Sequence, residues 1–236
     1  MLLWRAIGVA AICSPASAQW VASAYLGASH TPPTALTIIQ PARNTAVRFH
    51  DVAFSGRSFS APLYYGYAVA HFWSEWIGVE GELIHLKAYG QMRRLTTVEG
   101  SLQGAPASGR IAPASIVSQF DITHGVNPIF ANVVLRHGFG EKRSGRKRAY
   151  VLARAGAGIT VPHHENTVSG LHSEGYQLGR PAMQGGAGAE LRLWRGLFGM
   201  AQYKFTWTRQ RVDVADGSAS LTLRSHHAAF GFAWHF

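Results

Sequence analysis

The chain closes on "HHAAFGFAWHF", in which Phe230, Phe232, Trp234 and Phe236 take every second position. Ala229, Gly231, Ala233 and His235 fill the gaps. A period of two is one face of a β-strand, so the pattern predicts a last strand with an aromatic face and a small or polar face. The alternation recurs upstream. Over 180–194, Met183, Ala187, Ala189, Leu191 and Leu193 share one side, and Gln184, Gly186, Gly188, Glu190 and Arg192 the other. Over 197–212, Ala201, Tyr203, Phe205 and Trp207 oppose Gln202, Lys204, Thr206 and Thr208. Over 149–162, Val151, Ala153, Ala155, Ala157, Ile159 and Val161 oppose Arg154, Gly156, Gly158 and Thr160.

Eight segments read this way: 19–29, 63–74, 76–89, 126–137, 149–162, 180–194, 197–212 and 219–236. Residues 47–54 continue the first segment or extend its sheet, and no stretch sustains a helical period. Some connections are tight, at Ser74–Glu75 and at Trp194-Arg195-Gly196. Others are long, at 30–61, 90–125 and 163–178. Short turns at one end and long loops at the other are the layout of outer-membrane barrels. The expected fold is all-β: an eight-stranded antiparallel up-and-down transmembrane β-barrel, its last strand closing against its first. The polar side of several strands is partly glycine, which makes a poor solvated surface but suits a crowded lumen. The apolar side is therefore expected to meet lipid. Eight strands leave an interior just wide enough for side chains.

Composition sharpens this picture. Charged residues are 14% of the chain, against roughly 25% in soluble domains. No run of about 18 apolar residues is present, which argues against membrane helices and leaves a barrel open. The formal charge of +10 suits phosphate-bearing partners, lipopolysaccharide among them. Five basic residues fall in the turn "EKRSGRKR", 141–148. No nucleic-acid motif accompanies them, so nucleic acid is not an expected partner. The one cysteine, Cys13, excludes an intrachain disulfide. It lies in a segment with Arg5, an apolar run from Ala6 to Cys13, and an Ala16-Ser17-Ala18 cleavage pattern. Residues 1–18 are therefore expected to be a signal peptide, and 19–236 the outer-membrane barrel domain. A monomer is expected. The terminal aromatic strand also resembles the signal read by the outer-membrane assembly machinery, an expected partner.

Chemistry-bearing residues fall in two groups. Glu80, Glu82, Arg154, Glu190, Arg192 and Lys204 are expected to point inward and pair, because unpaired charge inside a membrane is costly. In the third segment Glu80 and Glu82 share one face while His85 and Lys87 share the other, which a bulge near Leu83 or Ile84 would reconcile. The second group is "ITVPHHENT", which brings His163, His164 and Glu165 to the mouth of the barrel. His163 and Glu165 share a face, and imidazole with carboxylate suits a divalent metal. Further ligands would come from His71, His85 or Glu174. Ser225 adjoins His226 and His227, but order and surroundings do not make a convincing hydrolase triad.

Several stretches, in order, resemble the lipid A oxidase-like family of outer-membrane proteins. They are "VRFHDVAFSGRSFSAPLYYGYAVAHFW" (47–73), "GVEGELIHLKAY" (78–89), "GVNPIFANVVLRH" (125–137), "AGAGITVPHHE" (155–165), "YQLGRPAMQ" (176–184) and "QYKFTWT" (202–208). Together they span most of 19–236. Arg180 separates the Gly and Pro of the fifth element, and the 90–125 loop is unusually rich in Ser, Gly and Ala. The resemblance implies oxygen-dependent oxidation of the proximal glucosamine of lipid A to an aminogluconate unit. Molecular oxygen would be co-substrate and a divalent metal ion cofactor. It implies metal or acid–base roles for His163 and Glu165, with His85 and Lys87 also catalytic. Tyr176, Gln177 and Gln184 would shape the substrate site. A non-enzymatic structural or adhesive barrel is the competing expectation. A deacylase or acyltransferase barrel, the deacylase using Ser225 with His226 or His227, is a third.

Overall fold

The computed structural model describes residues 19–141 and 147–236. The signal segment expected over 1–18 lies outside the described residues, as does the middle of the basic turn, 142–146. Seventeen strands are described. The first third of the chain carries β1 (Gln19–His30), β2 (Thr34–Gln40), β3 (Thr45–Val52), β4 (Phe54–Ser55), β5 (Tyr65–Phe72) and β6 (Ile77–His85). Then come β7 (Ala88–Gly90), β8 (Thr96–Leu102), β9 (Ala105–Ile111), β10 (Val117–Ile122), β11 (Pro128–Glu141) and β12 (Lys147–Thr160). The last third carries β13 (His163–Val168), β14 (Leu171–Tyr176), β15 (Pro181–Trp194), β16 (Leu197–Val214) and β17 (Gly217–His235).

Eight of these close the barrel in the order β1-β5-β6-β11-β12-β15-β16-β17, and β17 pairs back onto β1. All the pairings are antiparallel. The seam runs from Val21 opposite His235 to His30 opposite His226. The Phe236 N–H extends it by donating to the Trp20 carbonyl at 2.9 Å. The aromatic strand β17 is therefore stitched to the first strand.

The side-chain alternation is the one expected. Leu26, Tyr67, Val69, Val79, Val133, Val151, Met183, Leu191, Tyr203, Phe230 and Phe232 are exposed on the outside. Trp20, Trp73, Trp76, Trp194 and Trp234 stand at the short-turn end. An apolar outer face with an interfacial aromatic girdle belongs in hydrocarbon, and the architecture is that of an outer-membrane barrel.

The long loops differ from the expectation, because they fold. β1 stops at Thr31-Pro32-Pro33, since proline offers no N–H to the ladder. The chain then resumes beside β17 as β2, with Leu36 to Ile39 opposite Leu221 to Ser218. β3, β8 and β9 extend that edge, so the expected extension through 47–54 is present as β3. A second sheet, β14-β13-β10-β7-β4, forms from the other loops. Leu36, Ile38, Val47 and Phe49 of the first sheet and Val117, Phe120, Ile122 and Val168 of the second join one buried apolar cluster, with Val212, Val214 and Leu221 from the β16–β17 hairpin. The barrel thus carries a packed cap on its long-loop end.

The third expected segment, 76–89, is also corrected. Barrel pairing stops at His85 with no bulge at Leu83 or Ile84. Glu80, Glu82 and Ile84 face inward. Lys87 leaves the barrel altogether and is buried in the cap, because Ala88 to Gly90 pair with β10 and β4.

The lipid-facing assignment has a direct test. Ala187 is exposed at the middle of β15, between Ala153 and Tyr203. Ala187→Arg is expected to destabilise the folded barrel by about 2–4 kcal/mol, measured by denaturant unfolding in lipid vesicles. A water-facing Ala187 would tolerate the change.

Candidate functional site

Inside the membrane section the inward charges form one network around Glu82. Tyr25 donates its hydroxyl to Glu82 Oε1 at 2.6 Å, and Lys204 Nζ donates to the same oxygen. Lys204 also reaches the Tyr25 hydroxyl at 2.7 Å. Gln184 Nε2 donates to Glu82 Oε2 at 2.5 Å and to Asn132 Oδ1 at 2.9 Å. Asn132 Nδ2 donates to Glu80 Oε1 at 2.8 Å. Arg154 Nη1 lies 3.5 Å from Glu80 and 3.6 Å from Glu82, and donates to Gln202 Oε1 at 2.8 Å. Two carboxylates thus face two cations, all buried. Buried charge is tolerable only when paired and hydrogen-bonded. The cavity left beside Glu80, Arg154 and Glu190 is about 10 Å³, room for about one water. Nearer the short turns, His235 Nε2 meets Glu190 Oε2 at 2.7 Å, and Arg192 stacks over Phe198. The lumen is filled at the level of this network, and opens into a cavity of about 540 Å³ at the short-turn end, lined by Arg136, Tyr150, Arg192 and His235 among others.

At the mouth, β6 ends on His85, whose ring stacks on Tyr65 at 4.8 Å. Asn127 Oδ1 contacts His85 Nδ1 at 2.9 Å. The Asn127 amide nitrogen donates to the carbonyls of His124, Gly125 and Val161. Its oxygen is therefore the acceptor, His85 Nδ1 carries the proton, and the buried His85 Nε2 keeps a free lone pair. Gly125 makes this possible: its φ is +99°, and a Cβ there would collide with the His85 and Asn127 side chains.

His163 on β13 sits next to this turn. Its Nδ1 lies 3.2 Å from His124 Nδ1, and the Thr123 hydroxyl approaches both rings, at 3.4 and 3.1 Å. Tyr176 packs edge-on against His163 at 4.4 Å, and Glu174 lies 3.5 Å from its Nε2. Glu165 shares the His163 face but engages elsewhere. Gln119 Nε2 bridges it, at 3.0 Å, to Asp121, at 3.1 Å. Asp121, Glu165 and Glu174 stand directly opposite one another across β10, β13 and β14. Burial raises the Asp121 carboxyl above its ordinary pKa, against the hydrogen bonds from Gln119 and Gly90. Lys87 donates to the Ser60 carbonyl at 2.8 Å, and burial lowers its pKa, with Arg57 adding to the effect.

The expected site residues therefore separate. His85, His163 and Tyr176 belong to one cluster at the mouth, with Asn127, Thr123 and His124. Gln177 instead pins the β16–β17 hairpin, donating to Asp213 Oδ2 and accepting from the Asp213 N–H at 3.0 Å. Gln184 lies in the lumen network rather than beside Tyr176. His71 sits on the outer face against Trp20, 4.5 Å between rings, at the opposite end. Ser225 bonds Thr31 and His227 bonds Thr206, while His226 faces outward against Tyr203, so no Ser–His pair forms. Among the described residues no group of three or more His, Cys, Asp or Glu side chains is arranged to hold a metal ion. Sequence reasoning missed Tyr25, Asn132, Thr123 and His124. The period-two register of β1 and β11 could have found the first two. The other two sit in a long loop whose fold leaves no such mark.

No protein-family model matches the chain, and no curated protein matches it. Solved structures do. The outer-membrane protein OprG from Pseudomonas aeruginosa is 10% identical, with a TM-score of 0.46 over 93% of this chain and 95% of that one. The N-terminal β-barrel domain of OprF from Pseudomonas aeruginosa is 10% identical, with a TM-score of 0.39 over 93% and 97%. Ail of Yersinia pestis is 10% identical, with a TM-score of 0.36 over 92% and 98%. The likeness concerns the fold alone.

Two outcomes follow from the geometry. Lys204→Met strips Glu82 of its closest cation and is expected to cost about 3–5 kcal/mol. Adding Glu82→Gln should recover most of that loss in the same unfolding assay. The second outcome concerns His164, buried on the opposite face of β13 from His163. Burial holds its pKa below the ordinary value; His163 acts the same way, and Asp213 and Glu174 act against it. The unfolded segment therefore binds more protons below about pH 6.5. Stability from His164 is full above that pH and is lost as pH falls through it. Amide exchange in β13, corrected for intrinsic rate, should quicken between pH 7 and pH 5, and His164→Gln should flatten the change.

Proposed function

We propose that this protein is a non-enzymatic outer-membrane barrel that stabilises the outer leaflet and presents a rigid extracellular cap. The observation that carries this reading is the pairing of a filled lumen with a packed cap. The Glu82–Lys204–Arg154 network occupies the interior, which argues against a water-filled path through the lumen. Loops that served only to connect strands would not need an apolar core of their own. Here Leu36, Phe49, Phe120 and Ile122 are fully buried within the loop region.

A second reading is oxidation of lipid A, and one observation favours it. His85, His124 and His163 gather at the mouth, beside Thr123 and Tyr176. In this reading His163, held by Glu174 and Tyr176, takes the proton of the C1 hydroxyl of the proximal glucosamine. The C1–H electron pair and both protons pass to molecular oxygen to give hydrogen peroxide, and water opens the resulting lactone to the aminogluconate. The described residues do not assemble a three-ligand metal set, so no step is routed through a metal. Glu165 and Lys87 would act by holding the cap sheet, and Gln184 by holding the barrel.

One experiment separates the two. Lipid A from a matched host, with and without the protein, is analysed by mass spectrometry in the presence and absence of oxygen, alongside uptake of a large hydrophobic dye. The structural reading expects unchanged lipid A and a leakier membrane when the protein is missing. An oxygen-dependent gain of one oxygen atom on the proximal sugar, abolished by His163→Ala in a folded barrel, would establish the oxidase instead.

A further inference from the structure

Above the membrane section the outer face of the barrel changes character. On β16 the outward row of Tyr203, exposed, and Phe205 and Trp207, half-buried, continues as exposed Arg209 and Arg211. Arg224 of β17 stands opposite Trp207. Arg180 precedes the first residue of β15, and Arg48 stands on β3 opposite Thr37. All five arginines line one open groove of about 810 Å³. Among its lining residues Asp51 is the one carboxylate. Arg48 lies 3.9 Å from Glu99, which His50 also approaches at 3.0 Å. Among the described residues Arg180, Arg209, Arg211 and Arg224 have no ion-pair partner. The hydroxyls of Thr37, Ser220 and Thr222 lie between them.

Like charges gathered without counter-charges repel, so a groove of this kind is completed by an anion from outside. Its height identifies which anion. A strand rises about 3.4 Å per residue, so Arg209 and Arg211 stand roughly 7 and 14 Å along the strand beyond Trp207. Aromatic girdles mark the interface, and the guanidinium groups therefore sit at headgroup level. They face the lipid side of the barrel, not the lumen. Below them the outer face is apolar, with exposed Met183 beside Trp207 and exposed Tyr203 further down the strand.

We propose that this groove binds the phosphorylated sugar headgroup of an outer-leaflet glycolipid, with Arg180, Arg209, Arg211 and Arg224 on its phosphates. The apolar strip beneath takes the first part of the acyl chains. The site lies on the outer wall and is separate from the histidine cluster at the mouth. It rests on the membrane orientation of the barrel and on neither reading of its function.

The test uses the refolded full barrel in detergent micelles and two probes, bisphosphorylated lipid A and the same lipid A stripped of phosphate. Binding is followed by native mass spectrometry. Wild type is expected to bind the phosphorylated lipid about tenfold or more tightly, in line with a few exposed charge-assisted contacts. The variant carrying Arg180→Gln, Arg209→Gln, Arg211→Gln and Arg224→Gln should lose that preference while keeping the heat-modifiable mobility of a folded barrel. If it does not fold, Arg209→Gln with Arg211→Gln alone should reduce the preference severalfold. Equal affinity of wild type for the two lipids would overturn the proposal, as would an unchanged preference in a folded variant. Displacement of the lipid by millimolar inorganic phosphate would overturn the lipid assignment and leave a free-anion site. None of these outcomes depends on lipid A oxidation or dye uptake.

Discussion

A strand in hydrocarbon cannot leave its backbone N–H and C=O groups unpaired, because no water is there to satisfy them. That constraint makes the β1–β17 seam the interaction on which the rest of this protein depends. Ten residue pairs join the first strand to the last, and without them β1 and β17 would each expose an open edge to lipid. Closure with eight strands also sets the interior width. A lumen this narrow holds side chains and little else, and in this chain the side chains are charged. Glu80, Glu82, Arg154 and Lys204 must then neutralise one another, and Tyr25, Asn132, Gln184 and Gln202 supply the remaining hydrogen bonds.

β16 records the two environments that the chain passes through. Its inward face runs Gln202, Lys204, Thr206, Thr208, Gln210 and then Val212, Val214, all buried. Its outward face runs Ala201, Tyr203, Phe205, Trp207 and then Arg209, Arg211, Asp213. Within the membrane the apolar side faces out and the polar side in. Above the membrane the same strand turns its apolar side to the core of the cap and its charges to water and headgroups. Each face exchanges character near the level of Trp207 without any break in the backbone. The surrounding solvent alone accounts for the inversion.

Much of the barrel was legible in the sequence, because a period of two with one lipid-facing side is a strong local signal. The closing pair, the outward aromatic row of Phe230 to Phe236 and the inward charges all follow from counting alternate positions. The cap was not legible in the same way. β4 and β7 are two and three residues long, too short to show a period. β8 and β9 are rich in Gly, Ser and Ala, and their faces carry little contrast. For the mouth cluster, His163 could be placed at the end of a strand, but its neighbour His124 could not. The contact between them depends on the Gly125–Asn127 turn, where φ is positive at both named residues. The family resemblance groups Gln184 with Tyr176 at one substrate site, whereas β15 runs downward into the lumen and carries Gln184 to Glu82.

The central claim is that the barrel interior is closed and that whatever the protein does, it does from its cap and outer wall. The most direct measurement is ion conductance of the refolded protein across a planar lipid bilayer. With Glu82, Lys204 and Arg154 joined across the lumen, the account predicts the conductance of the bare bilayer. Reproducible, sustained single-channel steps from the folded protein would show a continuous water path through that network and contradict it.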